Sequence, residues 1–66
     1  MNKYVISTDN DGYISSSNSL LKAKRLALAA SKMIKDTSIY LAETTEAEGD
    51  KDIQEYKNGI EVPKTL

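Results

Sequence analysis

One stretch of this chain is built for a helix more plainly than any other. From residue 20 to residue 35 every residue except Ser31 is Leu, Ala, Lys, Arg, Met or Ile, mostly strong helix formers. A lone amphipathic helix cannot bury its own apolar stripe, so a second layer must come from the rest of the chain. The rest reads as short strands. Residues 3–8 (KYVIST) carry Tyr4, Val5 and Ile6, all strand formers. Asp9-Asn10-Asp11-Gly12 is a dense turn signal, and Tyr13-Ile14-Ser15 returns as a short strand, completing a hairpin.

The polar run of residues 15–19 (SSSNS) offers Asn18 or Ser19 as a helix N-cap, and Asp36-Thr37-Ser38 ends the helix. Residues 39–45 (IYLAETT) read as a strand with Ile39 and Leu41 on one face and Tyr40 and Ala42 on the other. Residues 46–50 (EAEGD) read as an acidic loop. Residues 52–62 (DIQEYKNGIEV) allow two readings. Asn58-Gly59 between apolar runs signals a type I′ hairpin. Alternatively a short helix runs from Asp50 to Asn58 with Gly59 at C′, its leading acids and trailing Lys57 suited to its dipole. Ile60 and Val62 continue a strand, which favours the hairpin, and Pro63 ends pairing. The expectation is a single α+β domain over residues 1–66: a small antiparallel sheet with one helix on one face, in the order β-β-α-β-β, with room for a final short strand.

Sixty-six residues bury only about 60% of the surface that the unfolded chain exposes, so stability is marginal. Such domains are often helped by disulfides, metals or oligomerisation. The chain has no Cys and no His, which removes disulfides and the preferred zinc ligands; a homodimer is the expected remedy. Leu, Ile and Val total only 14 and there is no Phe, but the net charge is −1, whereas disorder usually pairs low hydrophobicity with high net charge. No apolar run approaches the ~20 residues that span a bilayer, so no membrane contact is expected. Residues 1–8 hold one Lys and three large apolar residues ahead of Asp9 and Asp11, unlike a secretion signal. A cytoplasmic location is therefore expected.

Four patterns bear on function. The first is Ser7 to Asn18, where Asp9, Asp11, Gly12 and Ile14 resemble positions three, five, six and eight of an EF-hand or dockerin loop. The resemblance implies a Ca²⁺ site, but Ser7 stands at position one and Asn18 at position twelve, where carboxylates are needed, which makes any such site very weak. The same residues favour a hairpin turn, and no metal or cofactor is expected. The second is the helix surface. At 100° per residue, Leu20, Ala23, Leu26, Ala27, Ala30, Met33 and Ile34 form one apolar face for the core. Lys24, Arg25, Lys32 and Lys35 lie opposite, with Leu21 and Leu28 among them seven residues apart. This apolar stripe with a basic rim is the candidate partner-binding surface. The alternatives are an ordinary solvated face or packing of the two leucines on the terminal segment or Leu66.

The third pattern is charge segregation. Residues 22–35 hold five bases and no acid, whereas residues 43–61 hold seven acids against Lys51 and Lys57. A basic helix suits phosphates. But the chain is slightly acidic overall, has a single Arg and interleaves no aromatic with the basic run, so nucleic acid is the second choice behind a protein partner. Attraction between the basic helix and the acidic half, within one chain or across a dimer, is the plainer reading. The fourth is catalysis, which is not expected. The usual general base and the strongest nucleophile are missing, and Glu46, Glu48, Asp50 and Asp52 lie in or beside a loop without apolar walls, where carboxylates stay ionised. The expected function is thus a non-catalytic regulatory protein working by protein–protein contact. Its size and its eight Lys against one Arg fit an inhibitory accessory protein of a phage or mobile element.

Overall fold

The structure is a computed structural model that describes residues 3–9 and 12–63. Strands β1 (Lys3–Thr8) and β2 (Tyr13–Ser17) form the first hairpin, helix α1 (Leu20–Met33) follows, and β3 (Ile39–Thr45), β4 (Gly49–Lys57) and β5 (Ile60–Val62) complete the order. Among the described residues the five strands make one sheet, ordered β2-β1-β3-β4-β5 and antiparallel at each pairing. The helix lies across one face. This is the α+β arrangement that the single helical run requires.

Each boundary has a local cause. Ser19, in extended backbone, caps α1 by accepting the Lys22 N–H on its hydroxyl at 3.3 Å. The helical run was expected to reach Lys35, but it stops at Met33: Ile34 leaves the helical region (φ −106°, ψ 95°) and Asp36 turns left-handed at φ 58°. The acidic turn shrinks to residues 46–48 because β4 already begins at Gly49. Asn58 and Gly59 both have positive φ, at 53° and 78°, as a type I′ turn demands; the short-helix reading of this segment is excluded.

Strand alternation sorts the sheet. Tyr4 and Ile6 of β1, Ile39 and Leu41 of β3 and Tyr56 of β4 are buried beneath Ala23, Ala27 and Ala30 of the helix. Two bulges extend this core sideways. Ile14 is the extra residue where β2 slips against β1 between Ile6 and Ser7. Ile53 is the extra residue where β4 slips against β3 between Leu41 and Ala42. A bulge re-aims a side chain and bends its strand, and both isoleucines are half-buried against the core.

The last turn of α1 is bolted to the β4–β5 turn. The Ser31 hydroxyl donates to the Leu28 carbonyl at 2.7 Å and accepts the Gly59 N–H at 3.0 Å. Close by, the Asp36 N–H donates to the Asn58 side-chain oxygen at 2.8 Å. The approach is close enough that a Cβ on Gly59 would come within 2.8 Å of Lys32 Cγ. Ser31, fully buried, is thus the one break in the helix-forming run because it ties two elements together.

Replacing Ser31 with Ala leaves the Gly59 N–H without its acceptor, and an unsatisfied buried donor costs about 1–3 kcal/mol. Urea unfolding of Ser31→Ala should show that loss at an unchanged m-value; a midpoint equal to wild type would remove the bolt from the argument.

Burial, helped by the Glu61 carboxylate, pushes the Tyr56 phenol above its ordinary value. The folded state therefore holds that proton more tightly than the unfolded state. Its contribution to stability is full below pH about 10, the unfolded tyrosine value, and is lost as pH rises from there through the folded value. Thermal unfolding across the alkaline range should show that decline, and Tyr56→Phe should lessen it.

Candidate functional site

Ser31 fixes the rotation of α1, and the rotation decides which side chains face outward. Of the six residues the sequence points to, Leu21, Lys24, Arg25, Lys32 and Lys35 are exposed. Leu28 is not part of that surface: it is half-buried and packs against the core. It stands three residues before Ser31, on the flank that leans toward the Gly59 turn. Leu21 shares its line but lies ten residues before Ser31, about 15 Å back along the axis, and is 62% exposed. Packing on the terminal segment bears partly on residues 64–66, Leu66 included, which are outside the described residues. Lys35 belongs to the turn beyond the helix.

The expected core face is also narrower than the periodicity suggests. Ala23, Ala27 and Ala30 are buried and Leu26 is half-buried, but Leu20 and Ile34 are more than a third exposed and Met33 is 84% exposed. Met33 stands two residues after Ser31, about 200° around the helix, so anchoring Ser31 to Gly59 turns Met33 outward. The outer face of α1 thus carries Leu21 and Met33 toward its ends, with Lys22, Arg25, Ala29 and Lys32 between them.

The opposite face of the sheet has no helix over it. Register places Val5 and Ser7, Tyr40, Ala42 and Thr44, Asp52 and Glu55, and Ile60 and Val62 on that side, and Tyr13 and Ser16 at its β2 edge. Hydrogen bonds agree with the register: Tyr13 Oη donates to Ser16 Oγ at 3.1 Å, and Thr44 Oγ1 donates to Asp50 Oδ1 at 2.6 Å. Tyr40 Oη donates to Asp9 Oδ1 at 3.3 Å. A Ser38 hydrogen bond lowers the Tyr40 phenol, but burial and the carboxylates of Asp9 and Glu55 prevail and raise it. Tyr13 and Ile60 are each 67% exposed.

The charge segregation read in sequence becomes a segregation in space only in part, because Glu43, opposite Tyr4, and Glu61, opposite Tyr56, stand on the helix side of the sheet. Asp9, Asp50, Asp52 and Glu55 belong to the open sheet face, on the far side of the sheet from the bases of α1. The sheet thus holds Asp50, Asp52 and Glu55 away from the helix, whereas Glu43 and Glu61 of the acidic half share its side.

The first hairpin separates the ligand positions of the Ca²⁺-like loop. Ser7 pairs opposite Tyr13 inside the sheet. Asn18 follows the far end of β2, about 16 Å along the strand from Tyr13. Asn10 and Asp11 lie outside the described residues. Among the described residues there is no group of three or more His, Cys, Asp or Glu side chains placed to hold a metal ion, no cavity and no helix long and apolar enough to cross a membrane. No protein-family model, curated protein sequence or solved structure matches the chain.

Proposed function

We propose that this chain is a non-catalytic regulatory protein of the cytoplasm that acts by protein–protein contact through the outer face of α1. The observation that carries the reading is Met33 and Leu21, two large apolar side chains exposed at 84% and 62% on a face otherwise basic. Arg and Met are among the residues enriched at interfaces, and a few such anchors carry most of the binding energy. The partner surface that fits is acidic with apolar spots. Small size and Lys-rich composition support an inhibitory accessory role of the phage or mobile-element kind.

Leu21→Ser combined with Met33→Ser changes only exposed side chains, so the fold should stand. Proteins captured from a cell extract by the immobilised wild-type chain should bind this variant at least about tenfold more weakly, a difference of roughly 1.4 kcal/mol or more. A variant with equal capture would discard the face.

One observation favours a second reading, in which the basic helix binds nucleic acid: the acids of the open sheet face do not cover it, so phosphates can reach it. Against this stand the single Arg and the apolar anchors. Generic duplex DNA should bind no tighter than the ~10⁻⁴–10⁻⁶ M of non-specific contacts. A fluorescence titration at two salt concentrations reads this directly, and tight, steeply salt-dependent binding would promote the second reading over the first.

A further inference from the structure

We propose that the outer face of α1 docks on the open sheet face of a second copy of this chain, so that copies stack head to tail. The proposal rests on the reading of the helix face as a docking surface and names its partner. The argument begins with charge. From Lys22 to Lys35 the chain carries Lys22, Lys24, Arg25, Lys32 and Lys35, all exposed, and no acid, with Asp36 following in the turn. The sheet face carries Asp9, Asp50, Asp52 and Glu55 against Lys3 and Lys57. A two-fold dimer through either face sets like against like, because an isologous interface matches each patch with itself. Helix on helix meets bases with bases, and sheet on sheet meets two surfaces of net negative charge. Helix on sheet brings surfaces of opposite net charge together, so the self-association expected from sequence takes a heterologous form in this proposal.

The apolar residues agree. Leu21 and Met33 stand on the helix side, and Tyr13, Tyr40, Ile60 and Val62 on the sheet side. Leu21, Met33, Tyr13 and Ile60 are largely exposed and Tyr40 and Val62 half-buried, the helix set standing among bases and the sheet set among more acids than bases. The molecule measures 33 by 25 by 21 Å. The 14-residue helix α1 offers a strip about 21 Å long and roughly 10 Å across, which places the contact at the small, weak end of the interface range. A heterologous contact leaves one helix face and one sheet face free at the ends, so it continues into a ring or an open filament.

Sedimentation velocity on the full chain tests this with two variants. Leu21→Glu with Arg25→Glu spoils the helix face; Asp52→Lys with Ile60→Lys spoils the sheet face. Met33→Glu stands in for the first if circular dichroism shows it unfolded. Wild type should form species larger than dimers that grow with concentration. These should dissociate between about 0.01 M and 1 M salt, where the screening length falls from roughly 30 Å to 3 Å. Each variant alone should be monomeric. An equimolar mixture should give a heterodimer and nothing larger, because it holds one intact face of each kind. Three results overturn the proposal: a wild type monomeric at every concentration, a closed dimer indifferent to salt, or a mixture that stays monomeric. If wild type is monomeric while the helix-face variant still loses its captured protein, the stacking fails and the docking surface survives. If neither capture nor self-association responds to the helix face, both fail.

Discussion

The outward chemistry of this molecule is set by how α1 lies on the sheet, and four small side chains determine that. Ala23, Ala27 and Ala30 let the helix backbone approach the floor of Tyr4, Ile6, Ile39, Leu41 and Tyr56. Ser31, on the same side, fastens the helix to the Gly59 turn. The alanines alone would leave the helix free to roll, because a methyl surface is nearly featureless and burial is non-directional. The hydrogen bond to Gly59 selects one rotation. Leu28 is thereby turned toward the core and Met33 away from it.

The elements and their order were legible because each rests on local chemistry. Alternating apolar residues made the strands. The Asn58-Gly59 pair made the β4–β5 turn, its two left-handed residues confirmed in the backbone. Ser19 made the cap. What escaped reading depends on pairing between distant segments. Nothing local shows that Ser31 meets a turn 28 residues later, so Met33 read as core and Leu28 as surface. The bulges were hidden for the same reason: Ile14 and Ile53 sit out of strict alternation, and only the partner strand shows that each is the extra residue. In the candidate surface, Leu21 and the basic residues keep their outward place and Leu28 does not.

The separation of charge was legible as a pattern along the chain but not as a geometry. Basic and acidic stretches can fold against each other or apart, and the sheet decides. β4 pairs with β3 so that Asp50, Asp52 and Glu55 share a side with Thr44, Ala42 and Tyr40. That side is opposite the helix because Ile39 and Leu41 must face it. A one-residue slip of register would carry these acids under the helix together with the polar side of the strand. The hydrophobic pattern of β3 thus sets the charge distribution of the whole molecule as a by-product of burying two residues.

A chain of this size has little apolar material to spare, and where it leaves that material is informative. The core contains no Phe or Trp and relies on two tyrosines and three large aliphatic residues as its bulk. Leu21, Met33, Tyr13 and Ile60 nevertheless remain largely outside it. Fully burying one such side chain is worth about 1.5–3 kcal/mol, a substantial fraction of the 5–15 kcal/mol that separates folded from unfolded domains. Singly exposed apolar residues are ordinary, so their number alone would argue nothing. Their placement does: they occupy the two broad outer surfaces, and the two surfaces differ in the sign of their net charge. A contact between such surfaces recovers burial that the small core cannot supply. It also neutralises charges that segregation keeps apart within one molecule, so the shortage of core and the polarity of the surface favour the same kind of contact.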